Sequence, residues 1–598
     1  MKRIKYFLNK TIINLKTTVT RFPVVLMFLT FLTITMFITI ENDYVNEELL
    51  GRLFFTGIFG ALLATAIQFM LERFKHLLKY SLLFHGATLV LSVLYYYFMT
   101  NDDISQSMVV HLFVLSFALF AAYLYMPTAK NDVNFGNVAL SHFKAAFTAI
   151  LYGIVLFLGF VAIFGAIDIL LININSKIYA HIANIAFTFF TPVYYLSLLP
   201  NFHSEDEYDI NKNEIAYNYP KVLEILVSNI LIPLISIFSV VLIVYFLKIL
   251  ITGVWPVGQV GPMVLGYSAV GYFIYILGSN LTNRFSLLYR KTFPIVLIPL
   301  VAMQLVSSYI RVDAYGITES RYYVILFGIF SIICAFMLIF NKTKNSNTIV
   351  LLSAIFALLS IIPPIDAFTV SKNSQEARLE EILIRNNMLS GDKIVPNKDI
   401  LKEDKHEITS ISDYLARMGY LRDIEWIPEE YISDSGYYSN FEMLYGFSPY
   451  YENYFPGEAP RYVYATLNNN EEIDVSGYDK FLKINIYSNI NNDITVSTFN
   501  IENEKYTIQQ STDKIGYITL TILDKSNKRL IEIPMKEFVD KLFENINESK
   551  SLMSPKELTI DAQNENMKIK IIINDINADK TNDTIYINGS LFLFIAIP

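Results

Sequence analysis

The sequence predicts an α-helical polytopic membrane domain of about eleven transmembrane helices, followed by an α+β, strand-rich extracytoplasmic domain. Three observations carry this. Hydrophobic residues make up 53% of the 598 positions and charged residues 17%, with a mean hydropathy of +0.39, too apolar for an ordinary soluble chain. The charge balance reverses near residue 370: residues 371–598 hold 24 Lys+Arg against 37 Asp+Glu, whereas 1–370 hold 23 against 18. The texture also changes, from apolar runs long enough to cross a bilayer to short period-two alternation after Arg461.

The basic N-terminus, 1–21, leads into the apolar run Phe22–Ile40, which no small-residue cleavage site closes, so it reads as an uncleaved first span. Further runs lie at 51–71, 80–99, 108–126, 147–172, 179–199, 222–252, 260–279, 293–310, 322–340 and 347–367. Each reads as a helix, because hydrocarbon offers no partner to backbone N–H and C=O groups. The run 222–252 is long enough to tilt. The run 260–279, glycine-rich and preceded by GVWPVGQVGP, reads either as a full span or as a broken, re-entrant helix. With the N-terminus cytoplasmic, the inside segments carry 18 Lys+Arg and the outside segments 4, the expected positive-inside bias. An odd number of spans then puts everything after Phe368 outside a cell membrane. The predicted domains are 22–367, transmembrane, and 368–598, external, helical over 371–420 and strand-rich over 461–598.

Within the external part, Ile408, Ile411, Tyr414, Leu415 and Met418 make one helical stripe. RYVYATL, KFLKINIYS, DITVSTF, KYTIQQ, GYITLTIL and KRLIEI then read as strands, MKEFVDKLFENI as a helix, and NMKIKIIIND as another strand. The last apolar run, DTIYINGSLFLFIAI, reads as a buried strand with a turn at Asn588-Gly589. No internal repeat is evident.

GVWPVGQVGPMVLGYSAVGY, RVDAYGITESRYYV, SQEARLEEILIRNNML and, further on, ISDYL follow one another in an order that resembles an uncharacterised bacterial family of multi-pass membrane proteins, domain of unknown function 4153. The resemblance covers most of the chain and is strongest from about 250 to 420. It implies membrane location and an uncharacterised role, and it supplies no reaction.

The polar groups that stand out cluster in YIRVDAYGITESRYY, where Arg311, Asp313, Glu319 and Arg321 crowd an outer loop of about eleven residues between two spans. Ionisable groups at that level are costly unless paired or solvated. Arginine can hold a carboxylate or phosphate through two hydrogen bonds, and Tyr315 shares a face with Arg311 if the helix continues one turn. An anionic lipid headgroup, solute or envelope component is one reading. An internal clamp of arginine on Asp313 or Glu319 is another, and snorkelling anchors a third. Asp168, Asp366 and Trp255 are expected at the same depth, where convergence would build a polar vestibule and where tryptophan also serves as an interfacial anchor. Gln304, mid-span, reads as an interhelical hydrogen bond, and His85 and His111 as structural polar groups. Asp474 and Asp479 read as a solvated turn rather than a calcium loop. The stretch GYYSNFEMLYGFSPYYENYFPG reads as core or membrane-surface aromatics, or as a platform for a sugar or peptide.

The single cysteine, Cys334, excludes an intrachain disulfide and a cysteine-based zinc site. The acidic external part argues against nucleic acid. No HExxH, GxSxG or P-loop pattern is present, and no cofactor or metal is expected. Three classes follow: a non-enzymatic envelope sensor, scaffold or accessory in the lipid bilayer with an external recognition domain; a transporter, which would show broken helices in matching halves; and a membrane-embedded transferase on a lipid-linked substrate.

Overall fold

The computed structural model describes residues 16–42, 47–100, 106–130, 133–172, 174–255, 260–340, 346–391, 393–428, 431, 436–451, 462–468, 472–488, 494–501, 504–544, 552–581 and 584–597. The chain divides into two compact units, Met1–Gln375 and Glu376–Pro598.

The first unit is helical. Among the described residues, nine helices are long and apolar enough to cross a membrane: Pro23–Glu41, Glu48–Arg73, Lys75–Met99, Ser107–Thr128, Phe135–Leu170, Glu207–Thr252, Val260–Leu277, Arg284–Tyr315 and Glu319–Phe340. The two other expected spans are helical but differ. Residues 177–198 run as Lys177–Ala183, a π-helical turn Asn184–Phe190, and Thr191–Leu198. Lys177, His181 and Asn184 lower the hydropathy of that helix. Asn347–Leu359 has 13 residues, and beyond it Pro363 and Pro364 supply no N–H to continue a helix. A second π turn, Leu226–Leu231, lies inside the long 222–252 run.

Val260–Leu277 is one continuous helix rather than a broken one, although 256–259 of the preceding stretch lie outside the described residues. Gly271 serves packing. A Cβ on Gly271 would stand 2.2 Å from the Phe293 ring, and the Gly271 carbonyl accepts a 2.9 Å hydrogen bond from the Tyr289 hydroxyl. Phe293, Leu297 and Val301 share that core with Val264 and Tyr267. Gln304 is fully buried and donates to the Val324 carbonyl at 2.8 Å, an interhelical bond.

The second unit opens with helical segments. Ala367–Arg385 runs into it, and Lys402–Arg417 and Gly436–Tyr445 follow, with the two-residue pair β1 (Leu389–Ser390) and β2 (Lys393–Ile394) between the first two. Then come β3 (Tyr462–Leu467), β4 (Lys480–Tyr487), β5 (Ile494–Ile501), β6 (Glu504–Thr512), β7 (Ile518–Leu523), β8 (Arg529–Pro534), β9 (Leu552–Met553), β10 (Thr559–Gln563), β11 (Lys568–Thr581) and β12 (Thr584–Ala596), with a helix, Lys536–Glu544, after β8. One sheet is ordered β4-β12-β11-β3-β9, with β10 beside β11; the other is the meander β5-β6-β7-β8. One apolar core joins both sheets and that helix, from Ile484, Ile571 and Leu591 to Ile508, Ile522 and Val539. The aromatic stretch expected near 436–457 contributes Phe441, Tyr445 and Phe447 to the interior, while 452–457 lie outside the described residues. No turn forms at Asn588-Gly589. β12 runs straight through it, and the β11 bulge between Ile573 and Asp575 falls just beyond, opposite Ser590 and Leu591. A Cβ on Gly589 would lie 2.3 Å from the Asp575 carbonyl oxygen, so glycine is used there for close approach.

Candidate functional site

The stretch expected to be a loop of about eleven residues is mostly helix. Arg284–Tyr315 continues through Arg311 and Asp313 and ends at Gly316, whose φ of 66° and whose N–H to the Val312 carbonyl (2.8 Å) form a glycine C-cap. Glu319 already opens the next helix. This tight corner exposes backbone carbonyls, and side chains close them. Arg321 donates to the carbonyls of Tyr315 (3.0 Å) and Gly316 (2.7 Å), its guanidinium 5.6 Å from the Tyr315 ring centroid. Gln375 donates to the carbonyls of Tyr315 and Ile317 at 2.9 Å each, and Ser374 Oγ accepts from the Ile317 N–H. Arg311 is half-buried and forms no ion pair with Asp313 among the described residues; its Nε is buried with no hydrogen-bond partner.

Asp366 is 2% exposed and caps the helix Ala367–Arg385, one carboxylate oxygen accepting from the N–H groups of Phe368 and Thr369 at 2.9 Å. The Tyr322 hydroxyl, donating to the Ile365 carbonyl, ties this cap to the helix that follows the corner. Asp168 accepts from the Ile174 N–H at 2.6 Å and so closes the turn after its own helix. Trp255 packs against the apolar core of the helices around Val264 and Phe293. Hydrogen bonds therefore gather Tyr315, Arg321 and Asp366 with Ser374 and Gln375, while Asp168 and Trp255 make their contacts elsewhere. Asp474 accepts from Ser476, whose hydroxyl first and N–H second hold its carboxyl below the usual range in an exposed turn.

A second polar constellation, unanticipated from the sequence, sits at helix ends of the same unit. Arg21 holds Glu72 through two bonds, 2.7 and 2.8 Å, and also donates to the carbonyls of Leu199 and Pro200. Gln68 donates to the same carboxylate at 3.0 Å. The Arg21 guanidinium lies 4.7 Å from the Phe22 ring and 5.6 Å from that of Phe69. Beside it, His142 is 5% exposed among Phe69, Tyr123, Tyr195 and Phe202. His142 Nδ1 is 2.6 Å from the Tyr195 hydroxyl, which is 3.2 Å from that of Tyr123. His142 Nε2 is buried with no partner. His142 was missed because 127–146 reads as a cytoplasmic segment, whereas the helix begins at Phe135. The signal that could have found the ion pair is a charge on each side of a predicted hairpin, Arg21 before the first span and Glu72 after the second.

In the second unit, the face of the larger sheet turned away from the core carries an ordered row. Tyr487, Asn588, Asn577 and Tyr464 stand opposite one another across β4, β12, β11 and β3, and the next row is Asn485, Ser590, Asp575 and Thr466. Tyr464, Tyr487 and Tyr586 are exposed. A hollow of about 340 Å³ lies among Tyr487, Asn577, Asp579, Tyr586 and Asn588. Another, of about 520 Å³, lies against Tyr478, Phe481 and Phe592, with the ammonium groups of Lys568 and Lys570 at 5.0 and 5.2 Å from the Tyr478 ring. Such a face offers rings to stack on and amides that both donate and accept. Among the described residues, no group of three or more His, Cys, Asp or Glu could hold a metal ion.

The sequence profile of a family described as domain of unknown function (DUF4153) matches residues 24–399. The chain belongs to this family. The DUF4153 match takes in the nine apolar helices from the second residue of the first, the 311–321 corner with Ser374 and Gln375, the histidine–tyrosine cluster and the β1–β2 pair, and it ends before β3. A protein of Pasteurella multocida (strain Pm70), Uncharacterized protein PM1469, is 25% identical over 463 residues, 73% of this chain and 74% of the relative. No solved structure matches this DUF4153 chain.

Proposed function

We propose that this multi-pass protein is a non-enzymatic envelope sensor, scaffold or accessory whose strand-rich unit recognises a component outside the cytoplasmic membrane. The observation that carries the reading is the aromatic and amide row on the larger sheet, Tyr464, Tyr487, Asn577 and Asn588, with its hollow. A face that only met water would not need exposed rings set in register with amides. The corner supports the same reading, since Arg321 is spent on backbone carbonyls, as a fixed joint requires. Arg311, with its buried and unpartnered Nε, is the point in the helices where an anionic headgroup or solute would be held. The charge bias of the loops supports an external strand-rich unit. The test is complementation of a deletion strain under envelope stress: Tyr586→Ala with Asn588→Ala is expected to abolish rescue at unchanged protein level. Full rescue would remove the recognition face.

One observation favours the transporter as second reading. Two helices each carry a π turn followed closely by proline, Asn184–Phe190 before Pro192 and Leu226–Leu231 before Pro233. Such bulges are frequent at functional sites.

A further inference from the structure

We infer that the first unit holds the acyl chain of an ester-linked membrane lipid in a cavity that ends at Tyr123 and Tyr195. The cavity, about 360 Å³, lies between Pro23–Glu41, Glu48–Arg73 and the helix around the first π turn. Above the tyrosines its walls are apolar except for Thr65 and Thr188, and on one helix they reach from Phe54 to Thr65, about 16 Å at the rise of an α-helix. Phe187, 41% exposed, edges it, so it communicates with the lipid side. The hydroxyl groups at its floor belong to a chain of three polar groups with two internal hydrogen bonds, His142–Tyr195 and Tyr195–Tyr123.

Hydrogen counting decides the ligand. A neutral imidazole brings one N–H and each tyrosine one O–H, three hydrogens for two contacts. If the chain runs from Tyr123 to His142, the spare hydrogen sits on His142 Nε2, which is buried and has no acceptor. If it runs from His142 to Tyr123, the Tyr123 O–H is left facing the cavity. An acceptor oxygen placed there takes the last hydrogen of the second direction, so that no donor is stranded and only the buried Nε2 lone pair is left unmatched. The oxygen is neutral, because Arg21 is already matched by Glu72 and two carbonyls and offers no charge to a ligand. Tyr123, Tyr195, Arg21 and Glu72 all lie near helix ends. That is the level of a bilayer's ester carbonyls, from which a chain extends down the cavity past Leu29 and Leu32.

The test uses the full chain in nanodiscs of phosphatidylethanolamine and phosphatidylglycerol containing a diazirine-acyl phosphatidylethanolamine, with crosslinks mapped by peptide mass spectrometry. Adducts are expected to concentrate on 54–65 and 187–196 relative to the lipid-facing Ile237 and Val240. Ala61→Phe, and independently Leu29→Trp, which fill the cavity, should remove that excess. Tyr123→Phe should lower it about fivefold, the worth of one hydrogen bond, while leaving labelling at Ile237 unchanged. Equal labelling of cavity and outward positions, or an excess that survives both filling variants, would overturn the proposal and leave annular lipid only. Equal occupancy by a diazirine alkane without an ester would overturn the role of the acceptor oxygen.

Discussion

Arg21 is the residue whose removal should cost most in the helical unit. Its side chain is 16% exposed and that of Glu72 7%, and removing one partner of a buried pair leaves the other charge uncompensated, at about 3–5 kcal/mol. Arg21→Ala is therefore expected to lower the melting temperature in detergent sharply. Arg21→Met combined with Glu72→Leu should recover most of the loss, a coupling that a double-mutant cycle measures; strict additivity would show that the pair does not act as one. Arg311 makes a contrasting case. Arg311→Lys keeps the charge and loses the planar fork, so it is expected to leave the melting temperature unchanged and to abolish rescue in the deletion strain. Normal rescue by Arg311→Ala would reduce Arg311 to an interfacial anchor. In the second unit, burial raises the Asp413 carboxyl above its ordinary value, against the pull of the Tyr451 hydroxyl bonded to it. An acid raised in the folded state favours folding below its unfolded value, and the advantage is lost as pH climbs through the folded value. Unfolding midpoints should accordingly fall over the pH range just above the ordinary carboxylate value, and Asp413→Asn should flatten that slope.

At the scale of elements, one device recurs: a cation from elsewhere in the chain closes the carbonyls at a helix end. Arg73 donates to Ala129, Lys144 to Ile215, Ala216 and Asn218, Lys212 to Ser197 and Leu199, Arg290 to Ser279 and Leu281, and Arg321 to Tyr315 and Gly316. These groups have no intrahelical partner, and a positive charge suits the negative end of the helix dipole. The spans and strands were legible because hydrophobic periods of 3.6 and 2 are local properties of the chain. The corner and the His142 cluster were not, because their partners are distant: Arg21 meets Leu199, and Gln375 meets Tyr315. Charge counts over loops recorded these cations without showing what they hold. Glycine positions were half legible. The glycine-rich run 260–279 left a full span and a broken helix both open; Val260–Leu277 is continuous, and Gly271 lies close against Phe293. Gly271→Val is expected to lower the melting temperature in detergent by several degrees, with the smaller Gly271→Ala intermediate; an unchanged melt for both would mean that Phe293 can swing aside.

For the whole molecule, placement is the first matter to test. Ser476 is exposed in the second unit and Cys334 is fully buried among the helices. With Ser476→Cys, a membrane-impermeant maleimide is expected to label intact cells, the native chain staying silent; labelling only after lysis would put the strand-rich unit in the cytoplasm. Residues 376–598 form a compact unit with their own core, and they are expected to melt cooperatively as an isolated fragment. The strand order of that unit also sets a clock. The meander β5 to β8 pairs neighbours across short turns, whereas β4 finds β12 only about a hundred residues later, as Tyr487 meets Asn588. Non-local pairing is slow because loop closure precedes its reward. Newly made chains should therefore spend time with the meander closed and β4 waiting, its edge unpaired and open to a chaperone or to another copy. Pulse-labelled hydrogen exchange during refolding of the fragment should protect Ile508 and Leu520 well before Ile484 and Leu591, and simultaneous protection would rule the waiting state out.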